Sequence, residues 1–253
     1  MTVLRTVCAT RYVTPLREGG SLPAIVEADD LGLYVLKFRG AGQGKAALAA
    51  EVMAGLIAVE LGLPVPELVL VEVDPALGRN EADPEIRDLL RASAGLNMGL
   101  DYLPGSVMFD RAAGDRVDAR LASEIVWFDA YVTNVDRTAR NPNLLWWHRK
   151  LHLIDHGAAL YFQHDWTSGE RLRRSPFAAV KDHVLLPWAS ELGAAQERLS
   201  PRLGRSSLEA IVGATPAEWL AGPAGGYVDF LAGRLAASDL FVKEAEDARA
   251  RLV

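Results

Sequence analysis

Residues 134–157, N-V-D-R-T-A-R-N-P-N-L-L-W-W-H-R-K-L-H-L-I-D-H-G, constrain this chain more than any other stretch. Two short apolar runs, 144–147 and 151–154, flank the polar turn His148, Arg149 and Lys150, which predicts a β-hairpin. Asp136, Asn141 and Asn143 precede the first run, and Asp155 follows the second within an Asp-x-Gly. A hairpin brings its entry and exit together, so ligands from both sides can reach one ion. Such a layout fits phosphoryl transfer. One Asp accepts or orients the proton of the attacking hydroxyl, while an Asn and a second Asp hold magnesium against nucleotide phosphates.

The chain has 253 residues, 50% of them hydrophobic, enough for one large domain or two lobes around a substantial core. Its net charge of -6 argues against a nucleic-acid binder, which would carry a basic stripe. The single cysteine, Cys8, excludes an internal disulfide or a cysteine-built metal site and fits a reducing cytosol, so a cytoplasmic location is expected. No apolar run near the N-terminus has signal-peptide length, and the longest later run, 52–59, stops at Glu60. Neither secretion nor a membrane span is therefore expected.

The first third of the chain reads as strands followed by one helix. Residues 23–28 and 33–38 alternate as strands joined by the turn 29–32. The alanine-rich run 45–61 predicts a helix ending at Gly62, with Pro64 and Pro66 beyond it, and 68–73 is a further strand. The Pro, Gly, Asn and Asp residues of 74–83 are the expected boundary between an N-terminal lobe, 1–73, and a C-terminal lobe, 74–253. Leu121, Ile125, Phe128 and Val132 recur at helical spacing, so 118–133 is a core helix that delivers the chain to Asp136. Further helices are expected at 187–197, 216–220 and 227–251. The fold class is α+β, with a small sheet lobe followed by a mainly helical one.

Asp136 and Asp155 are the leading catalytic candidates, weighed against plain turn capping. Asn141 stands five positions after Asp136, the spacing of the kinase catalytic loop, whereas Asn143 directly precedes the apolar strand. Pro142 holds Asn141 extended, and the sequence leaves open which of the two asparagines meets the metal. Lys37 shares a strand face with Leu33 and Val35, and an ammonium there needs a partner. Glu51, on a helix whose small alanines allow close approach, supplies one. The bland alternative is a solvated lysine and a solvated glutamate. Gly19, Gly20 and Ser21 form the preferred phosphate loop. Gly40, Gly42 and Gly44 match neither G-x-G-x-x-G nor a Walker loop and read as a connector. The five histidines lack H-E-x-x-H spacing and a cysteine partner, so no zinc site is expected, and His156 is read as a packing or hydrogen-bonding residue rather than a catalyst. Arg137 and Arg140 read as loop arginines, able to meet a phosphate but more commonly solvated.

Taken in order, Y-V-L-K-F with Lys37, A-A-E-V with Glu51 followed by L-G-L-P-V-P-E, D-R-T-A-R-N-P-N-L-L and L-I-D-H-G resemble the HipA-like kinases. The resemblance runs through about residue 187. It implies a bilobal protein-kinase-like fold and an ATP- and Mg2+-dependent phosphotransferase acting on a protein serine or threonine. Lys37 would contact the phosphates, Glu51 would hold Lys37, and Asp136 would be the base. Asn141 or Asn143 with Asp155 would bind magnesium, and Gly19, Gly20 and Ser21 would close over ATP. The chain has no H-R-D, has His156 in place of Phe in Asp-x-Gly, and lacks A-P-E, which points away from an ordinary regulated protein kinase. Two alternatives stand beside it: a small-molecule kinase of the aminoglycoside or choline type, and a nucleotide-binding pseudokinase or adaptor.

Overall fold

The computed structural model describes residues 4–16, 22–42, 44–79 and 81–252. Five strands close into a barrel in the order β1, β2, β3, β5, β4: Thr6–Pro15, Ala24–Ala28, Leu33–Lys37, Gly95–Asp101 and Leu68–Val73. All pairings are antiparallel except the closing one, in which β1 runs parallel to β4 from Thr6 opposite Leu70 to Cys8 opposite Glu72. Strand alternation puts Tyr34 and Leu36 inside, packed with Val26, Val69, Val71 and Leu90. Leu33, Val35 and Lys37 therefore face outward.

The expected end of the sheet at residue 73 is corrected by β5. The 74–83 stretch leads to helix α2, Pro84–Ala92, and the chain then returns as β5 between β3 and β4. Glycine makes that insertion possible, because a Cβ on Gly99 would come within 2.7 Å of Val71 and 2.9 Å of Val69.

Helix α1, Gly44–Leu61, is buried from Leu48 to Ala58 on every side rather than along a stripe. It lies between the barrel and the C-terminal helices. Gly55 admits the side chain of Leu68, and the helix stops at Gly62, whose φ of 75° suits a residue without Cβ. Helix α3, Ala119–Val132, starts where Asp118 caps the Leu121 N–H at 3.0 Å, and it forms the centre of the larger core.

The predicted hairpin forms from β7, Leu144–Trp147, and β8, Lys150–Leu153, with β6, Val107–Met108, added at its edge. Its two-residue turn, His148 and Arg149, has φ of 46° and 64°, matching the twist of the strands. The C-terminal part holds helices α4, Gly169–Arg173, α5, Leu192–Leu199, α6, Arg205–Ala214, α7, Ala224–Ala236, and α8, Ser238–Ala250. The single helix expected over 227–251 thus breaks at Ala237, and 216–220 contains only the 3-10 turn Ala217–Trp219. No helix among the described residues is long and apolar enough to cross a membrane.

Candidate active site

Lys37 ends β3 on the outward face and points between α1 and the hairpin. Its ammonium bonds the Glu51 carboxylate and also reaches Asp155 Oδ1 at 2.7 Å. Burial works against the Lys37 charge, but Glu51 and then Asp155 outweigh it, and its pKa is raised. Burial likewise raises the Glu51 carboxyl, with Lys37 pulling the other way. Asp155 resists its own burial because Lys37 holds it well below the usual carboxylate range. The Glu51 side chain is 2% exposed and that of Asp155 47%. One acid braces the lysine from inside while the other still offers oxygen to a ligand.

The hairpin sets the second half of the site. Its last pair is Leu144 opposite Leu153, and just beyond it the Ile154 N–H donates to the Asn143 carbonyl at 3.1 Å. Asn143 and Asp155 therefore flank the same open end. Both have left-handed backbone, φ 50° and 56°, a costly conformation for non-glycine residues that concentrates at functional sites. Asn143 is buried, and its amide nitrogen finds no hydrogen-bond partner among the described residues.

Asn141 does something different, since its amide donates to Asp136 Oδ2 at 2.8 Å and fixes that carboxylate. The Asp136 N–H is in turn held by Asn134 Oδ1 at 3.2 Å. Burial raises the Asp136 pKa, and the negative Asp155 adds to it, while the Asn141 amide favours the ionised form. A carboxylate with raised basicity beside metal-ligand types is suited to proton acceptance.

The sequence reading missed a buried network behind the loop. Asp129, inside α3, pairs with Arg137 Nε at 2.6 Å, accepts from Asn134 Nδ2 at 2.8 Å, and accepts from His183 Nε2 at 3.0 Å. The Leu185 N–H donates to His183 Nδ1, which leaves the ring proton on Nε2, directed at Asp129. Arg137 also donates to the carbonyls of Asn143 and Ile154 and so ties the Asp136 loop to the hairpin end. The reading of Arg137 as a solvated or phosphate-binding loop residue is corrected: it is 1% exposed and committed to Asp129. A signal was present, because an acid among Trp127, Phe128, Ala130 and Tyr131 has to be paired. His156 packs edge-to-face on Phe128 at 5.6 Å, and burial pushes its pKa down to about 3.

Between barrel and hairpin lies a cleft of about 550 Å³. Val35 and Leu100 line one wall and Leu145 and Ile154 another, with Lys37 and Asp155 also facing the space. Gly19, Gly20 and Ser21 lie outside the described residues, but Leu16 and Pro23 on either side of that segment border the cleft. At the hairpin exit, a Cβ on Gly157 would sit 3.1 Å from Glu51 Oε1, so a larger residue there would press on Glu51.

A family model of HipA-like kinases matches residues 10–229. The chain belongs to the HipA-like kinase family. Among solved structures, this HipA-like chain is similar to CtkA, a proinflammatory kinase of Helicobacter pylori, with TM-score 0.57 and 14% identity over 98% of this chain and 99% of that one. It is also similar to the Golgi casein kinase with Mn/ADP bound, with TM-score 0.54 and 11% identity over 100% of this chain and 76% of that one. At these identities the likeness is one of fold. A search of the curated proteins finds no match. The family expected from the Lys37, Glu51, Asp136 and Asp155 motifs is thus established, and the fold is that of kinases with mixed α and β content.

Proposed function

We propose that this HipA-like protein transfers the γ-phosphoryl group of ATP, with Mg2+, to the hydroxyl of a protein serine or threonine. The supporting observation is the convergence of Lys37 and Asp155 on a cleft of nucleotide dimensions, with Glu51 holding Lys37 from behind, from three elements distant in sequence. The apolar walls at Val35, Leu100, Leu145 and Ile154 suit a base, and Lys37 suits phosphates. In this reading the barrel with α1 and α2 acts as one lobe, the hairpin and helices as the other, and the cleft separates them.

The donor set fits a magnesium ion, which takes few protein ligands and keeps several waters. Asp155 offers a half-exposed carboxylate, and Asn143 an amide whose nitrogen is unpartnered, which a rotation about the amide exchanges for its oxygen. Asp155 and Asn143 would hold the ion, which supplies charge neutralisation at the phosphate oxygens. Asn141 is assigned to Asp136, which orients the acceptor hydroxyl and takes its proton. Lys37, fixed by Glu51, steadies the phosphates without needing to reorganise during transfer.

The test is transfer from γ-labelled ATP to candidate proteins and, separately, to a metabolite extract. Label is expected on protein Ser or Thr, lost in Asp155→Ala and strongly reduced in Asp136→Ala with nucleotide binding retained in the latter. Label confined to small metabolites moves the assignment to a small-molecule kinase. Full turnover in both variants removes the roles given to the two acids.

A further inference from the structure

We infer that Gln163 is a positioning residue for the Lys37 and Glu51 pair, acting through the first turn of α1. Gln163 lies in the 3-10 turn Tyr161–His164 and is 3% exposed. Its Nε2 donates to the Ala46 carbonyl at 3.1 Å, and its Oε1 accepts from the Tyr227 hydroxyl at 3.1 Å. The Tyr227 oxygen accepts from the Ala221 N–H at 3.1 Å. The direction is forced, because a carbonyl only accepts, so the Gln163 nitrogen faces Ala46 and its oxygen faces Tyr227.

Three segments of the C-terminal part thereby converge on one carbonyl of the helix that carries Glu51. Ala46 precedes Glu51 by five residues, roughly 7.5 Å along the axis at the α-helical rise. The far end of α1 is held as well, where Arg202 donates to the Leu61 carbonyl at 2.5 Å. A stiff helix fixed at both ends cannot turn Glu51 away from Lys37. Gly157, against Glu51 and Ala47, closes the same region from the hairpin side. Neither Gln163 nor Tyr227 is among the residues that bond Lys37, Asp136 or Asp155, so their influence passes through α1.

The consequence for turnover rests on the proposed nucleotide site, but the positioning itself is tested without it. Acylation of Lys37 by acetic anhydride, read by mass spectrometry against the exposed Lys150, reports how firmly the ammonium is held. Gln163→Leu and Gln163→Glu are expected to raise Lys37 labelling about fivefold, the equivalent of one buried hydrogen bond, and Tyr227→Phe is expected to raise it less. In the kinase assay the same variants are expected to raise the KM for ATP more than they lower kcat. Val242→Ala, a core change in α8, supplies a destabilised control whose Lys37 labelling is expected to stay at the parent rate. Parent-rate labelling in both Gln163 variants, or an equal rise in Val242→Ala, overturns the inference. If Gln163→Leu does not fold, Gln163→Glu and Tyr227→Phe decide by the same criterion. A parent protein that never consumes ATP defeats the proposed function, while the labelling still rules on Gln163.

Discussion

Lys37 and Asp155 are 118 residues apart in the chain, and their charged groups lie 2.7 Å apart. That contact joins the barrel to the exit of the hairpin, with Glu51 bracing the lysine from α1. Because the three groups share one buried environment, removing any one changes the cost of the others. A double-mutant cycle with Lys37→Met and Glu51→Gln, followed by urea unfolding, is expected to give a coupling of about 1 to 3 kcal/mol. Additive effects would contradict a direct buried pair.

Gly157→Ala tests the close approach of α1. The new methyl group meets Glu51 Oε1 at 3.1 Å, the oxygen that binds Lys37, and Ala47 at 3.8 Å. Glu51 is too tightly packed to yield freely. The expected result is a loss of roughly tenfold in kcat/KM, about 1.4 kcal/mol, with the fold retained by circular dichroism. Unchanged steady-state kinetics would show that Glu51 has room to move.

Acid should weaken the protein through Asp129. Arg137 and His183 outweigh its burial and hold its folded pKa well below the usual carboxylate range. Its contribution is therefore complete above the unfolded value near 3.9 and is lost as pH falls below it. Between about 6.5 and 4.5 the depressed His156 and His183 oppose the raised Glu51, so their effects partly cancel. At pH 7, Asp129→Asn leaves Arg137 buried without its anion and should cost about 3 to 5 kcal/mol. Urea midpoints of parent and variant should converge as pH is lowered from about 5 to 3. A gap that stays constant would contradict the depressed Asp129.

Arg234 is a buried cation neutralised by carbonyls. Its guanidinium donates to the carbonyls of Ala130 and Tyr131 at the end of α3 and to those of Leu172 in α4 and Ser175 just after it, and burial lowers its pKa to about 10. The negative end of the α3 dipole adds to this neutralisation. Arg234→Met is expected to lose at least about 3 kcal/mol by leaving several buried carbonyls unpaired, and Arg234→Lys recovers only part because an ammonium cannot fork. Thermal melts of the two variants decide the point, and a melt at the parent temperature for Arg234→Met would refute it.

What the sequence made legible was local. The hairpin showed in its two apolar runs, α1 in its alanines and terminal Gly62, and the Lys37 and Glu51 pairing in the order of strand and helix. Strand β1 was missed because its register shifts between Ala9 and Arg11 and between Tyr12 and Thr14, which breaks the alternation, and its pairing with β4 is distant in sequence. Strand β5 was missed because G-L-N-M-G-L-D has little strand propensity; it is held by neighbours on both sides. The break between α7 and α8 falls at Ala237, with no proline or glycine to mark it, so packing sets it. Within the site, the separate tasks of Asn141 and Asn143 depend on which faces Asp136 and which stands at the hairpin end. That is a matter of backbone geometry at φ 50°, not of residue type.

The central claim is that Asp155 and Asn143 hold a divalent ion against a nucleotide fixed by Lys37. Calorimetric titration of ADP with and without Mn2+, on the parent, Asp155→Asn and Asn143→Ala, tests it most directly. The account predicts that Mn2+ tightens ADP binding at least about tenfold in the parent, about 1.4 kcal/mol, and that both variants lose this gain while keeping the metal-free affinity. Equal ADP affinity with and without Mn2+ in the parent, or a full metal gain in Asp155→Asn, would contradict it.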